Sequence, residues 1–326
     1  MEFINNNFIR SSPKISNFKK CVFIVGAGIS VPSGIPDFRS ENGVFKKLRK
    51  ELKITGEQFF SYEYGLRENR QLYLKYIAKL KFISEKASPN AVHKFLSKIP
   101  KTRVYTQNID GLEERGGTLF TSKKDTKGIY LHGNLKNLSC IYCSHKIKFS
   151  AEIVQKCILL DKKTNMDFLD CTACLERNKK ARKENKRAKP CGFMHPSIVH
   201  YGQSNSNENF IIETLKKDGD CDLLVVMGTS LKIPGVKTLI KSFSKFVPTA
   251  IYVDLKEPNK EWHKYFSHFY EGDCLKFIKE WSKKINLCTD QEGAEIDFNS
   301  SILASDSDLL LTNSSFLRSD SNKQIC

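Results

Sequence analysis

The sequence predicts an α/β protein: a Rossmann-like parallel sheet with helices on both faces, plus a small cysteine-bearing module. Three observations carry this. Cys21-Val22-Phe23-Ile24-Val25, Leu223-Leu224-Val225-Val226-Met227 and Ala250-Ile251-Tyr252-Val253 are short runs apolar on both faces, as parallel strands covered by helices are. Each of these runs, and a further one at Arg103-Val104-Tyr105-Thr106, stops at glycine or polar residues. Between the first two strands, 71–80 has apolar residues spaced for one buried helical face.

The first strand runs into Gly26-Ala27-Gly28. Gly26 and Gly28 allow a sharp turn and close approach to a ligand, which a Cβ would obstruct, and a helix with free N–H groups facing a phosphate is expected next. Val31 stands where a third small residue would complete the dehydrogenase fingerprint, which disfavours a hydride-transfer enzyme. Instead Ser33 to Ser40 form a loop carrying Asp37, Phe38 and Arg39. Residues 41–100 read as crossover helices, with Phe59, Phe60, Tyr62 and Tyr64 as core and His93 as structural. The second strand ends in Gln107-Asn108-Ile109-Asp110-Gly111, the third in Gly228-Thr229-Ser230 and the fourth in Asp254, an acid placed to accept hydrogen bonds from a ribose. In an open α/β sheet, ligands bind beyond these carboxyl ends.

Cys140-Ile141-Tyr142-Cys143 and Cys171-Thr172-Ala173-Cys174 are two CxxC knuckles separated by 27 residues. The spacing matches a structural zinc site in which Cys140, Cys143, Cys171 and Cys174 leave no open position for catalysis. A redox CxxC is the alternative, and Cys191 is a competing ligand. The other cysteines of the eleven read as packing residues or incidental thiols, because no signal peptide or membrane-length apolar run is visible and an intracellular, reducing address is expected. The formal net charge is +17, although 287–326 hold seven acids against two bases. The folded part is therefore the more basic, which favours polyanionic surroundings. Arg177 to Lys189, with eight bases and one acid, reads as a nuclear-import signal, a nucleic-acid-facing patch or a solvated face. The organisation expected is a disordered arm over 1–18, one folded unit over 19–285 with a zinc module at about 137–196, and a disordered Ser/Asp-rich tail over 286–326.

In this order, the stretches GAGISVPSGIPDFRS, TQNIDGL, LHGN, the two CxxC pairs, HPSIVHYGQ and GTSLKIPGVK resemble the sirtuin family of NAD-dependent protein-lysine deacylases. GTSLKIPGVKTLIKSF and TQNIDGLEERGG look most like its fungal nuclear branch, which deacetylates histones in chromatin. The resemblance implies transfer of an acetyl group from lysine to ADP-ribose, with loss of nicotinamide, and His132 as catalytic base. It implies that Asn108 and Asp110, with Gln107 beside them, line the nicotinamide and ribose pocket. Gly26, Ala27, Gly28, Asp37, Phe38, Arg39, Gly228, Thr229, Ser230, Asp254 and Cys274 are implied cofactor contacts, and Ile198, Val199, Tyr201 and Gly202 the strand that pairs with an acetylated peptide. Zinc and NAD are the implied metal and cofactor. A nuclear location, a histone substrate, DNA or nucleosome contact through 177–189 and no membrane association are expected. Departures from the family's pattern fall at Asp254, Gln203 and His195. Two other readings share this site: a catalytically weak module that binds acylated tails, and a protein mono-ADP-ribosyltransferase.

Overall fold

Apolar residues on both faces force a strand to be covered on both sides, and Cys21–Val25 (β2) is at most 1% exposed along its length. The structure, a computed structural model, describes residues 2–3, 17–41, 43–122, 125–161 and 163–282. Its strands are Glu2–Phe3 (β1), β2, Thr102–Thr106 (β3), Gly128–Tyr130 (β4), Gly133–Cys140 (β5), Lys146–Lys148 (β6), Met194–Ile198 (β7), Leu223–Met227 (β8), Thr249–Asp254 (β9) and His268–Glu271 (β10). Seven form a parallel sheet in the order β1-β10-β9-β8-β2-β3-β4. The amino-terminal arm, expected to be disordered, thus supplies β1 to the sheet edge. The rest of the arm up to residue 16, and everything from 283 onward, lie outside the described residues.

The helices are Val44–Leu52 (α1), Gly56–Phe59 (α2), Arg70–Lys86 (α3), Ala91–Lys98 (α4), Leu112–Arg115 (α5), Ala151–Ile158 (α6), Thr172–Lys183 (α7), Glu208–Lys217 (α8), Pro234–Phe243 (α9) and Cys274–Ser282 (α10). On one face of the sheet Phe23, Val25 and Val225 pack with Val92 and Leu96 of α4 and with Phe277 and Trp281 of α10. On the other, Val22, Ile24 and Val226 pack with Leu239 and Ile240 of α9 and with Ile211 of α8.

One expectation is corrected here. The long helix α3 is not a crossover on the parallel sheet: Tyr73, Leu74 and Ile77 join a separate core with Leu138, Phe149, Val154 and Cys157 of the cysteine module. Helical spacing marks a buried face without naming what covers it. Phe59, Phe60 and Tyr64 are buried in that same core and Tyr62 is half-buried, in line with the reading of these aromatics as packing residues. The module's antiparallel sheet, β6-β5-β7, opens at Gly133, directly after His132. Among the described residues, no helix is long and apolar enough to cross a membrane.

Candidate active site and metal centre

Strand register brings the four predicted strand ends to one line. Val25 lies opposite both Thr106 and Met227, and Met227 opposite Val253, so the loops at Gly26, Gln107, Gly228 and Asp254 leave the sheet side by side. A Cβ at either glycine would be obstructed, and the obstructing atoms belong to the loop after β8. A Cβ on Gly28 would lie 2.7 Å from the Gly228 Cα, and one on Gly26 would lie 2.6 Å from the Gly228 oxygen. Gly28 N–H donates to the Gly228 carbonyl at 2.9 Å, so the lack of a Cβ at both positions lets two loops of the protein meet at the carboxyl edge of the sheet. The helix expected after these glycines is corrected. Ala27–Ile29 and Val31–Ser33 are two single 3-10 turns, since Pro32 and the left-handed Gly34 (φ 85°) break the run before an α-helix can form.

His132 is half-buried, with its main chain held on both flanks: Leu131 N–H donates to Thr106 at 2.8 Å and Val199 N–H to His132 itself at 2.9 Å. Its Nδ1 lies 3.1 Å from the Gln107 carbonyl. A carbonyl can only accept, so the proton sits on Nδ1 and the lone pair on Nε2. Burial holds the imidazole below its ordinary pKa, and the carbonyl bond offsets this only in part. The group is therefore a neutral base at neutral pH.

Asn108 is 3% exposed, and its Nδ2 reaches the Gly26 carbonyl at 3.2 Å, Glu113 Oε1 at 3.0 Å and Ser30 Oγ at 3.4 Å. Asp110 Oδ1 accepts the Leu112 N–H at 2.8 Å across the left-handed Gly111 turn (φ 75°), and burial pushes its carboxyl up. Gln107 is clamped to Thr229, with its Nε2 3.0 Å from the hydroxyl. Beneath them lies a layer that sequence reasoning missed. His93 Nδ1 accepts the Asn90 N–H at 3.1 Å, which puts its proton on Nε2, 3.4 Å from Ser30 Oγ. His93 is fully buried, and burial drives its pKa down to about 3, so its assignment as structural extends to supporting Ser30. Asn90 at the start of α4 is the one local signal for this layer.

Ala27, Ile35, Pro36, Phe38, Asn108 and Asp110 line a cavity at this edge. Apolar walls that carry an amide and a carboxyl suit a flat carboxamide ring and a ribose, so the residues fit NAD. Asp254, half-buried at the end of β9, accepts the Leu255 N–H at 2.7 Å, and burial raises its carboxyl. Cys274 is buried, with the Gly228 main chain against its thiol. Thr229 is buried and Ser230 exposed. Asp37 acts within its own loop, its Oδ1 accepting the Arg39 and Ser40 N–H groups at 2.9 and 2.8 Å. Phe38 packs edge-on against Phe45 and Phe60, with ring centroids 5.7 Å away in both cases. Arg39 spends its guanidinium inside the protein, 2.7 Å from Glu57 and 3.0 Å from the Tyr201 hydroxyl.

Of the four residues expected to pair with a peptide, Ile198 ends β7 and Val199 bonds to His132. Tyr201 already pairs with its own chain: its N–H donates to Phe60 at 3.0 Å and its carbonyl accepts from Tyr62 at 3.1 Å. Gly202, at φ 80°, has open space where a Cβ would stand. His200 links to this edge through two bonds. Its Nδ1–H donates to Gln203 Oε1 at 3.1 Å, so its Nε2 accepts the Tyr73 hydroxyl at 2.6 Å.

The sulfurs of Cys140, Cys143, Cys171 and Cys174 all lie within 4.8 Å of one another. Cys140 and Cys174 are 3.8 Å apart and Cys143 and Cys171 3.5 Å, distances spanned by a tetrahedral ion with Zn–S bonds of about 2.3 Å. The first knuckle follows β5 and the second opens α7, so two elements of one module bring the thiols together. Gly192 must be glycine beside them, because its Cβ would lie 2.4 Å from Cys140 Sγ. Cys191 is exposed and 3.1 Å from the Asn178 amide, outside the cluster. The donor set fits zinc and not a pair of independent redox centres.

Residues 26–235 match the family model described as the Sir2 family. The chain belongs to the Sir2 family. It is 33% identical over 295 residues to the NAD-dependent protein deacetylase hst4 of Emericella nidulans, covering 82% of this chain and 48% of that one. It is 34% identical to hst4 of Schizosaccharomyces pombe (82% and 68%) and 30% identical to the NAD-dependent histone deacetylase HST3 of Saccharomyces cerevisiae (82% and 66%). The chain thus spans about half the length of the Emericella relative and about two thirds of the two yeast proteins. Its fold matches a solved Sir2 complex with deacetylated p53 peptide and 3′-O-acetyl ADP ribose at a TM-score of 0.61 and 22% identity, over 87% of this chain and 98% of that one. It also matches Sir2 with p53 peptide and NAD+ at 0.59 and 21%, over 83% and 95%. The Sir2 fold is therefore common ground between sequence and structure.

Proposed function

We propose that this Sir2-family protein is an NAD-dependent protein-lysine deacetylase acting on histones, with residues 19–285 as its catalytic unit. The observation that carries the reading is the Nδ1–carbonyl bond of His132, which leaves a neutral Nε2 on a residue held against Gln107, in the strand-end loop that also carries Asn108 and Asp110. NAD, when bound, supplies the ribosyl carbon that accepts the acetyl oxygen of lysine as nicotinamide leaves. His132 Nε2 takes the proton of a ribose hydroxyl, a transfer that general-base catalysis accelerates by roughly 10²–10⁴. Asn108 and Asp110 orient the carboxamide and ribose, and Phe38 on the cavity wall keeps water from the reacting carbon. Arg39 must leave Glu57 to meet a phosphate, so its ion pair is the contact that cofactor binding exchanges. Zinc, held by the four cysteines, supports the module and takes no part in the chemistry.

The histone reading is supported by the names of the fungal relatives and by the exposed bases on and after α7, which also support nuclear residence and contact with DNA. The deciding experiment incubates the full chain with labelled NAD and acetylated histones. Loss of acetyl groups matched by nicotinamide release is expected. Label transfer to protein without acetyl loss would establish ADP-ribosyl transfer, and retention of acetylated tails without turnover would establish a binding module.

A further inference from the structure

Glu113 has no assigned part in this site, yet it is the most deeply placed acid in it. Its side chain is 0% exposed on the short helix α5. Its Oε1 accepts the Thr106 hydroxyl at 2.6 Å and the Asn108 Nδ2 at 3.0 Å, and Thr106 Oγ1 in turn accepts the Asn108 main-chain N–H at 3.0 Å. Its Oε2 has no partner at all. We propose that Glu113 is a positioning residue that fixes the amide of Asn108, so that Asn108 presents its oxygen, an acceptor, to the NAD pocket.

An asparagine amide can sit two ways, and its surroundings choose. Nδ2 is ringed by the Gly26 carbonyl, Glu113 Oε1 and Ser30 Oγ. Turned over, the Asn108 oxygen would face the Gly26 carbonyl and the Glu113 carboxyl oxygen, two acceptors against a third. The observed orientation leaves Oδ1 clear of these contacts on a residue that lines the cavity with Ala27, Phe38 and Asp110. An oxygen there accepts the N–H of a carboxamide or a ribose hydroxyl. The Gly26 carbonyl is one main-chain acceptor and Ser30 lies at the long end of hydrogen-bond range, so Glu113 supplies the decisive contact.

Glu113 does this as a neutral acid. A carboxylate with two donors on one oxygen, none on the other and no bonded cation would be costly at full burial. Burial first, and the nearby Asp110 second, push its carboxyl up. The neutral acid needs only its carbonyl oxygen for both bonds, and a glutamine carries the same oxygen.

The inference rests on the deacetylase reading, and the test separates the two. Full-length wild type is assayed with NAD and an acetyl-lysine peptide; absence of turnover would sink the deacetylase reading itself. With wild type active, Glu113→Gln should keep kcat/KM for NAD within about twofold, whereas Glu113→Ala should lower it about tenfold or more with the peptide KM unchanged. In an Asn108→Ala background, Glu113→Ala should add little further loss, because its effect passes through Asn108. If the cavity left by alanine unfolds the chain, Glu113→Met fills the volume without an acceptor and takes its place. Wild-type kinetics in Glu113→Ala or Glu113→Met, a tenfold loss in Glu113→Gln, or fully additive losses with Asn108→Ala would each overturn the proposal.

Discussion

The Gln107 carbonyl does for His132 what an acidic partner does in many catalytic histidines, without adding a charge. It selects the tautomer while burial keeps the ring neutral. The sign of the pH dependence follows. The active form is unprotonated and its pKa lies below the ordinary value of about 6.5, so the titration of His132 should leave kcat/KM unchanged from about pH 7 upward. Toward lower pH, kcat/KM should fall with an acid limb centred below pH 6.5; a limb centred above 7 would contradict the lowering of the imidazole by burial. His132→Ala should cost at least about 100-fold in deacetylation while leaving the thermal midpoint close to wild type, since the side chain is only half-buried. Turnover near wild type in the folded variant would remove His132 from the mechanism. His132, Asn108 and Asp110 could be named because they stand in the motifs LHGN and TQNIDGL that carry the family resemblance. Glu113 and Ser30 could not, because their importance lies in what they touch: a buried glutamate reads, in sequence, as one more polar residue of a helix.

At the scale of elements, strand recognition succeeded where two-sided burial leaves a continuous apolar run, as at Cys21–Val25 and Leu223–Met227. It was less informative for helices. The spacing in Arg70–Lys86 announced a buried face, but whether that face meets the parallel sheet or the cysteine module depends on long-range packing around Tyr73 and Leu74. The contact of Gly26 and Gly28 with Gly228 has the same origin, since their partner lies on another strand end far along the chain. Metal spacing, by contrast, is local chemistry and was legible outright. Because α3 packs on the metal-bearing module, loss of zinc should reach beyond it. Structural zinc contributes on the order of 10 kcal/mol of apparent binding free energy, comparable to the whole stability of a domain. Cys171→Ala should therefore unfold or aggregate the chain, and elemental analysis of reduced wild type should find one zinc per chain. Wild type that is folded and free of zinc would dismiss the metal site.

At the scale of the whole molecule, the cysteine module carries a dense cationic run, Arg177 to Lys189. Within Arg177 to Lys189, all eight bases except the half-buried Arg177 are exposed. The run folds back on itself: Arg177 donates to the Pro190 carbonyl at 2.8 Å, and Asn178 bonds to both the Lys189 carbonyl and its N–H, at 2.6 and 3.1 Å. Glu184 pairs with Lys186 at 2.8 Å and more distantly with Lys180 at 4.0 Å, which leaves most of the positive charge uncompensated. A surface of this kind binds duplex phosphates by releasing counterions, with a log–log salt slope of about −0.9 per contact. Replacing Lys179, Lys180, Arg182 and Lys183 with serine removes at most four contacts. The slope for nucleosomes or DNA should then become less negative by up to about 3.6, four times about 0.9. None of these four side chains touches His132, Asn108 or the cavity, so activity on a short acetyl-peptide should remain near wild type. Equal losses on peptide and nucleosome would mean that the run supports the fold. An unchanged slope in a variant that stays nuclear would mean that these charges only solvate the module.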